Sequence, residues 1–446
     1  MRIYNSLTQK VEDFKPQHED LVTMYTCGPT VYKDIHIGNF RTFVLADFLY
    51  RVLQMNGYKV QYVTSITDVG HLTLDTGEDR VEAAAREQNK SALDITTQYI
   101  KEFYEDCNKL NIKKPTKYTK ASDYIDDQIE LIAKLEELDF TYKTSDGIYF
   151  DTSKVDNYGE LSGLTIENIK EDNSNDFALW KYSLPGLLRF QEWHSPWGDG
   201  FPGWHTECAA MCLSELGETI DFHLGGEDLK KIHHPNEIAQ CEAVTGKDFV
   251  KYWVHVSLLN IEKDKMSKSL GNFITLQDIE KKDFHPLHFR YLLMTTHYRE
   301  TLSFSWDSLQ NARSTLKRLY DILGSYVTDK EEKPNEKYLS MFKEKVNDDL
   351  NMPEAVAVVW NIIKSDLEES VKLATILEID KVLGLKIEEK IGFEVPSEVL
   401  TLAKLRKDYR DFGIWDKADV IRKEIISKGY VIEDLPDNEF KLKRKF

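Results

Sequence analysis

The sequence predicts an α/β protein in which a parallel sheet is split by an insertion and followed by an α-helical bundle and a small mixed C-terminal domain. A strand–helix–strand pattern covers residues 21–66. Polar loops and short strand patterns interrupt the sheet over residues 111–199, and parallel-strand patterns return at Thr219. After Trp306, apolar residues recur at helical spacing. These three observations define the predicted architecture.

The strand–helix–strand unit near the start of the chain has the clearest element signals. Residues 21–26 (LVTMYT) are apolar or β-branched and end at Cys27-Gly28-Pro29, which indicates a short buried strand. Residues 42–55 follow a helical pattern that Asn56-Gly57 ends. Residues 59–66 (KVQYVTSI) predict a second strand. Because a helical crossover joins parallel strands, these two strands are expected to run parallel.

Later segments extend the sheet and then become helical. Helices are predicted over residues 91–110, 122–138, 309–323, 337–347, 353–367 and 399–428, and strands over 147–151, 219–224, 253–259 and 430–433. The chain is therefore divided into 1–110, the first half of a nucleotide-binding domain; 111–199, an insertion; 200–260, the second half; 261–308, a connecting region; 309–395, a helical bundle; and 396–446, a C-terminal domain.

Composition excludes several classes of protein. The 446 residues contain 58 Lys and Arg against 76 Asp and Glu, so the net charge of 58 − 76 = −18 rules out a uniformly basic coat for nucleic acid. A content of 41% hydrophobic residues is typical of a globular chain. No apolar run approaches a membrane span, so no membrane contact is expected. Five cysteines, an odd and sparse set, favour a reducing compartment, the cytoplasm.

The turn after the first strand is a candidate phosphate site. His36, Gly38 and Asn39 stand where the next helix begins, and helix N-termini bind phosphate through unpaired N–H groups. Gly38 would let a nucleotide approach the backbone. On this segment alone, a capping histidine and a turn glycine explain the residues at least as well.

A lysine-rich loop is the second candidate. Residues 263–269 (KDKMSKS) hold three lysines, including Lys265 and Lys268, among small hydroxyl residues. Flexible point charges of this kind suit a loop that clamps a polyphosphate during reaction. The alternative is a solvated charged turn.

A metal site is the third candidate. Cys208 and Cys212 are four residues apart, as are His233 and Glu237, and this spacing puts each pair on one face of a helix. Thiolate, imidazole and carboxylate ligands suit Zn²⁺. Spacing alone does not choose between these four residues and a set that recruits Cys27. Buried inert cysteines beside a capping histidine pair are the remaining alternative.

Taken together, the motifs resemble those of the cysteinyl-tRNA synthetases, a family of class I aminoacyl-tRNA synthetases with a Rossmann-like catalytic domain. The matching segments, in order, are residues 26–39 (TCGPTVYKDIHIGN), 195–211 (SPWGDGFPGWHTECAAM), 221–229 (DFHLGGEDL), 233–240 (HHPNEIAQ) and 265–273 (KMSKSLGNF). The resemblance implies one Zn²⁺ per subunit, held by Cys27, Cys208, His233 and Glu237, that binds the thiolate of the substrate L-cysteine.

The resemblance also implies roles for the remaining site residues. ATP, with Mg²⁺ on its phosphates, would lie over the first helix. The expected catalytic residues are His36, Asn39, Lys265 and Lys268; the expected ATP contacts are Gly38, Gly226, Asp228 and Lys268; and the expected cysteine contacts are Gly28, Thr67 and Trp204. Each has a structural alternative, such as a strand end for Thr67, a core position for Trp204 and a turn for Asp228.

The implied macromolecular partner is tRNA(Cys), and a monomer is expected. The terminal stretch resembles the family's anticodon-binding domain, and basic segments at residues 402–410, 422–423 and 441–445 could contact the tRNA backbone. Trp415 and Phe412 could stack on anticodon bases, although core positions are commoner for such residues.

Two departures from the family pattern stand out. The usual HIGH motif is here HIGN, so Asn39 cannot become cationic. A longer loop at residues 69–80 carries His71, which we interpret as a surface residue rather than part of the substrate mouth.

Two other functions are compatible with the motifs. One is a cysteine ligase that acts on an amino sugar, and the helical and C-terminal segments argue against it. The other is a zinc-bearing tRNA-binding protein without catalysis, which HIGN favours and the intact KMSKS disfavours.

Overall fold

The computed structural model describes residues 1–70, 79–163, 175–183, 189, 191–261, 264–265, 273–326, 332–390, 395–436 and 439–444, with 264–265 and 443–444 described by their backbone. The strands are β1 (Arg2–Asn5), β2 (Lys10–Asp13), β3 (Leu21–Thr26), β4 (Lys59–Ile66), β5 (Lys117–Lys120), β6 (Thr141–Lys143), β7 (Gly147–Phe150), β8 (Phe177–Tyr182), β9 (Gly200–Pro202), β10 (Ile220–Gly226), β11 (Val250–Val256), β12 (Leu259–Ile261), β13 (Asp264–Lys265), β14 (Leu302–Phe304), β15 (Tyr430–Asp434) and β16 (Phe440–Arg444). The α-helices are α1 (Ile37–Met55), α2 (Arg80–Gln88), α3 (Ala92–Lys109), α4 (Ile125–Glu137), α5 (Trp204–Leu216), α6 (His233–Thr245), α7 (Leu276–Lys281), α8 (Pro286–Leu293), α9 (Trp306–Leu323), α10 (Glu336–Asn347), α11 (Met352–Lys364), α12 (Glu369–Leu383), α13 (Ile387–Lys390), α14 (Ser397–Asp411) and α15 (Trp415–Ser427).

The central sheet has the strand order β11–β10–β3–β4–β5 within the described residues. Every neighbouring pair is parallel, which confirms the predicted α/β fold. β3 and β4 pair from Leu21 opposite Lys59 to Thr26 opposite Thr64. The carboxyl ends of the strands therefore share one edge, the usual position for a ligand site in such a sheet.

Two predicted boundaries differ from the structure. β5 pairs with β4 at the edge of the sheet, so the sheet continues into the range 111–199 that was predicted as the insertion. The strand predicted over residues 253–259 is divided between β11 and β12. At the break, the carbonyls of Ser257 and Leu258 accept hydrogen bonds from Nη1 of Arg41, at 2.8 and 2.7 Å.

α1 connects β3 to β4 and begins earlier than its apolar pattern predicts. His36 is its N-cap, and the His36 side chain accepts a hydrogen bond from the backbone N–H of Asn39 at 3.2 Å. This cap starts the helix at Ile37, ahead of the apolar run at residue 42. The helix ends at Met55, and its C-cap Asn56 is followed by Gly57 with a φ of +93°.

A second sheet, antiparallel, lies in and just after the predicted insertion. Its strand order is β6–β7–β8–β9, and its buried side chains Phe150 and Trp180 share a core with Tyr25 and Cys208 of the central domain. The insertion is therefore packed against the central domain through a continuous apolar core.

Helices dominate the rest of the chain. α10, α11 and α12 pack on one another, and α12 also packs on α1. α14, α15 and the β15–β16 hairpin form a small mixed unit whose core includes Val399, Ile425 and Ile432. Within the described ranges, no α-helix combines the length and apolar character that a bilayer span requires.

A buried ion network joins α1 to the helical region. The Asp47 carboxylate lies 2.5 Å from Nη2 of Arg290 and 2.8 Å from Nε of Arg51. Nε of Arg290 donates to the Leu383 carbonyl at 2.8 Å, and Nη1 of Arg51 donates to the Lys381 carbonyl at the same distance. The helix that His36 caps, α1, is thus fixed to the end of α12.

Candidate functional site

The four predicted metal ligands meet at the carboxyl end of β3. Cys27 follows β3, Cys208 lies in the second turn of α5, and His233 and Glu237 lie one turn apart on α6. One ligand atom from each residue lies within 4.8 Å of all the others. All four residues are buried. The structure thus brings together residues separated by up to 210 positions in the chain.

The distances define a compact donor cluster. Sγ of Cys27 lies 3.9 Å from Sγ of Cys208 and 3.6 Å from Oε1 of Glu237, while Nε2 of His233 lies 3.0 Å from the same Oε1. Two sulfurs, an imidazole nitrogen and a carboxylate oxygen form the kind of ligand set that Zn²⁺ takes. The donors therefore fit a single zinc ion.

A second set of donors overlaps the first. Cys27, His223, His234 and Glu237 also lie within 4.8 Å of one another. Both sets contain Cys27 and Glu237, so they are alternatives for one ion. Only the first set contains two thiols, the ligands with the greatest preference for zinc over harder cations.

Electrostatics within the cluster favour a cation. A hydrogen bond from the Cys27 thiol lowers the pKa of Cys208 to about 5 despite burial. Burial and the neighbouring Cys208 raise the pKa of Cys27 well above its ordinary value. Burial alone would raise the pKa of Glu237, but His223 and His233 lower it to about 2. A buried thiolate and carboxylate side by side require positive charge nearby.

His233 supplies part of that charge. Burial alone would lower its pKa, but the charges of Glu237 and Cys208 outweigh burial and raise the pKa of His233 to about 10. A divalent ion at this position would take over the same compensating role.

Residues around the ligands fix their orientation. Nδ1 of His205 lies 2.9 Å from Nδ1 of His233, and Nε2 of His223 lies 2.9 Å from Oε2 of Glu237. The Trp204 ring stacks on the His233 ring with 4.2 Å between centroids. Such supporting contacts hold metal ligands in one rotamer. Sequence reasoning missed His205 and His223, and the signal it could have used for His223 is its position among inward-facing residues of β10.

A cavity of about 300 Å³ opens beside the cluster, over the start of α1. Its wall comes from the ends of β3 and β10, the α1 N-terminus and the start of α5. Among the predicted site residues, those that line it are Cys27, Gly28, His36, Gly38, Asn39, Trp204, Gly226 and Asp228.

Two glycines that line this cavity are closely packed against their neighbours. A Cβ at Gly28 would lie 1.4 Å from the Ser65 carbonyl oxygen, and a Cβ at Gly226 would lie 2.4 Å from Oδ1 of Asp228. The Gly28 N–H donates to Oγ of Ser65 at 2.8 Å, which fixes the turn after β3 against β4. A side chain at position 28 would displace the backbone, whereas a side chain at position 226 would require the Asp228 side chain to move.

The remaining predicted residues are placed differently. Thr67 is buried at the end of β4, where its backbone pairs with Pro29 and Val31, and it is not among the described residues that line the cavity. Lys265 is described by its backbone in β13, opposite Asn260 of β12. Lys268, and residues 71–78 of the longer loop, lie outside the described residues.

Solved structures with similar folds define the class. Methionyl-tRNA synthetase of Mycobacterium tuberculosis, solved with methionyl-adenylate, matches with a TM-score of 0.58 at 15% identity, over 82% of this chain and 90% of that one. A LeuRS of Agrobacterium radiobacter matches with a TM-score of 0.58 at 11% identity, over 84% and 85%. The fold is that of the class I aminoacyl-tRNA synthetases.

Sequence comparisons narrow the class to one family. Residues 13–314 match the model of the class I tRNA synthetase (C) catalytic domain. Cysteine–tRNA ligase 1 of Burkholderia lata is 41% identical over 98% of this chain and 96% of its own length, and the cysteine–tRNA ligase of Treponema denticola is 38% identical over 97% and 98%. The chain belongs to the cysteine–tRNA ligase family, whose members are aminoacyl-tRNA ligases.

Proposed function

We propose that the protein activates L-cysteine with ATP and transfers it to the 3′-terminal adenosine of tRNA(Cys), and that Cys27, Cys208, His233 and Glu237 hold one Zn²⁺ per subunit. The observation that carries this proposal is the double position of Cys27, which belongs to the donor cluster and also lines the cavity over α1. An amino acid whose side chain reaches the cluster would therefore have its carboxylate in the cavity.

The cluster explains selectivity for cysteine. Bound zinc supplies a soft Lewis acid for which a substrate thiolate is a far better ligand than a serine hydroxyl. Packing alone separates such near-isosteres poorly, whereas a lost polar contact separates them by orders of magnitude. Gly28 would contact the substrate through its backbone, which its missing side chain lets lie close to Ser65 of β4. Trp204 stacks on His233, and the Thr67 N–H donates to the Pro29 carbonyl and so holds the turn in place.

The cavity residues act on ATP. A carboxylate oxygen of cysteine attacks the α-phosphorus, the bond from that phosphorus to the bridging oxygen breaks, and pyrophosphate leaves with Mg²⁺. His36, Gly38 and Asn39 at the α1 N-terminus would position the phosphates, Gly226 and Asp228 would contact the adenosine, and Lys265 and Lys268 would neutralise the leaving group. These groups act by positioning and charge stabilisation, as is usual in phosphoryl chemistry.

The transfer step uses tRNA. A hydroxyl of the terminal ribose attacks the carbonyl carbon of the cysteinyl-adenylate, and AMP leaves. The C-terminal unit, residues 396–446, would bind the anticodon while residues 309–395 and the connecting region span the distance to the catalytic domain. The enzyme would act in the cytoplasm as a monomer.

Cysteine-dependent ATP–pyrophosphate exchange and tRNA charging test this function. The wild-type protein should exchange with cysteine and not with serine, and should charge tRNA(Cys). Exchange that is absent in the zinc-loaded protein would contradict the proposal and would favour a tRNA-binding protein without catalysis. Exchange without tRNA charging would favour a different acceptor, such as an amino sugar.

A further inference from the structure

We propose that Lys33 and Arg80 contact the polyphosphate of ATP during cysteine activation and supply cationic charge that Asn39 does not provide. This inference rests on the proposed function, because it takes the cavity over α1 as the ATP site. It adds to that site two residues without an assigned role, Lys33 within the segment 26–39 and Arg80 outside the shared segments.

The need for this charge follows from the chemistry. The polyphosphate of ATP is strongly anionic, and the leaving pyrophosphate gains charge as its bond to the α-phosphorus breaks. Asn39, exposed at the α1 N-terminus, can donate a hydrogen bond but stays neutral. Further cations on the cavity wall would therefore act where the charge develops.

Lys33 lies at the end of the cavity next to the α1 N-terminus, where the phosphates are proposed to bind. It lines the cavity together with His36 and Asn39. Its Nζ lies 5.2 Å from the centroid of the Phe273 ring, and that ring lies 5.4 Å from the His36 ring. A single aromatic ring thus connects the ammonium group to the residue that caps α1.

Arg80 stands on the same wall and is firmly anchored. It is the first residue of α2, and its neighbour Asp79 caps that helix by accepting from the N–H of Val81 at 2.8 Å. Asp79 is buried and also accepts from the N–H of Gly70 at 2.6 Å. The backbone at Arg80 is therefore fixed, with the side chain on the cavity wall.

Tyr32 holds the two cations together. Nη1 of Arg80 lies 3.3 Å from the Tyr32 hydroxyl, and the Arg80 guanidinium carbon lies 5.6 Å from the centre of the Tyr32 ring. Nζ of Lys33 lies 5.0 Å from the same centre. An arginine fork can bind two phosphate oxygens at once, while a lysine follows a moving charge. The pair thus suits a phosphate group that departs during reaction.

Lys33 has acidic neighbours as well. It also borders a smaller cavity with Asp34, Glu102 and Asp106. These carboxylates would attract the ammonium group before ATP binds, and the anionic phosphates would then draw it towards His36. Substitution of Lys33 is therefore expected to change kcat/KM for ATP more than the KM for cysteine.

Activation and transfer can be measured separately. In Lys33→Gln and Arg80→Gln, kcat/KM for ATP in cysteine-dependent exchange should fall by about tenfold or more, as for loss of a charge-assisted contact. The KM for cysteine, and single-turnover transfer from preformed cysteinyl-adenylate to tRNA, should stay near wild type. Matched controls are Lys143→Gln and Arg318→Gln, which place the same residue types near rings of Tyr182 and Trp360 outside this cavity.

Charge compensation provides a second test. Adding Asn39→His to Lys33→Gln should restore part of the activation at mildly acidic pH, where histidine is cationic. Arg80→Lys, which keeps the charge, should retain more activation than Arg80→Gln, and this variant also serves if Arg80→Gln fails to fold.

Three results would overturn the inference: unchanged ATP kinetics, a change confined to the KM for cysteine, or a loss confined to transfer. The last would assign the two cations to tRNA phosphates. If the wild type itself fails to exchange, the proposed function fails instead, so the two failures are distinguishable.

Discussion

Single residues at the end of β3 determine what this site can bind. Cys27 faces the donor cluster and the cavity, while Gly28 leaves room for the chain to pass within reach of Ser65. A glycine is needed directly after Cys27, because a side chain at position 28 would displace the backbone that positions the Cys27 sulfur. Two adjacent residues thus set where the Cys27 sulfur lies beside the cavity.

Gly28→Ala should damage both stability and activity. The added Cβ would lie 1.4 Å from the Ser65 carbonyl oxygen, so β3 and β4 must separate. We expect a loss of roughly 2–4 kcal/mol in the free energy of unfolding and a large loss of exchange activity. Gly246→Ala is the control, because nothing lies within 4 Å of its added Cβ and its φ of +65° is the main penalty, about 1 kcal/mol. Equal effects of the two substitutions in urea unfolding would contradict this account.

The candidate metal ligands were easier to predict than the residues that surround them. Spacing and donor chemistry left Cys212 as an alternative to Cys27, the family resemblance implied Cys27, Cys208, His233 and Glu237, and the structure brings these four together. The supporting pairs, His205 with His233 and His223 with Glu237, depend on how α5, α6 and β10 pack. Local periodicity contains no information on such distant contacts, so these residues were not predicted.

Among the elements, α1 connects the site to the rest of the molecule. Its first turn lies under the cavity, and its middle contributes Asp47 to the buried network with Arg51 and Arg290. The α/β core and the helical predictions followed from apolar periodicity. α2 was not predicted because its sequence, RVEAAAREQ, is largely polar and small, and the cap at Asp79 that stabilises it depends on Gly70.

Asp47→Asn should weaken the junction between α1 and the helical region. The substitution leaves two buried guanidinium groups without their carboxylate, and removing one partner of a buried ion pair typically costs roughly 3–5 kcal/mol. The pH dependence should change as well. Burial alone would raise the pKa of Asp47, but Arg290 and Arg51 hold it below its usual value.

The lowered pKa of Asp47 sets the direction in which the free energy of unfolding changes with pH. A carboxyl group with a lowered pKa in the folded chain stabilises the fold above its unfolded pKa, about 3.9, and this stabilisation is lost as the pH falls through the folded value. Urea unfolding from neutral pH to below pH 4 should therefore show a smaller acid loss in Asp47→Asn than in the wild type. If the free energy of unfolding changed with pH in the same way in both proteins, the proposed stabilisation by the Asp47 ion network would be contradicted.

At the scale of the whole molecule, a chain of net charge −18 must still bind an anionic tRNA. The C-terminal unit offers a local solution. Phe412 is 79% exposed and Trp415 is 59% exposed. Neither residue therefore occupies the core position that is commoner for such side chains. The guanidinium carbon of Arg410 lies 5.8 Å from the Trp415 ring centre, and aromatic and cationic side chains together form a surface that suits unpaired bases.

Phe412→Ala and Trp415→Ala should weaken tRNA charging alone. Loss of a stacked base is worth about 1–3 kcal/mol, so the KM for tRNA should rise about fivefold or more, while cysteine-dependent exchange stays unchanged. Val420→Ala, which removes another exposed apolar side chain from α15, is the control. A uniform effect of the three variants on charging would argue against base stacking.

The most direct test of the central claim is metal analysis of the wild type, Cys27→Ser and Cys208→Ser, each compared in exchange with cysteine and serine. Cys212→Ser, one turn further along α5 and outside both donor sets, is the matched control. The account predicts one zinc per wild-type and Cys212→Ser subunit, and loss of both zinc and cysteine selectivity in the other two variants. Full zinc occupancy in Cys27→Ser or Cys208→Ser would contradict it.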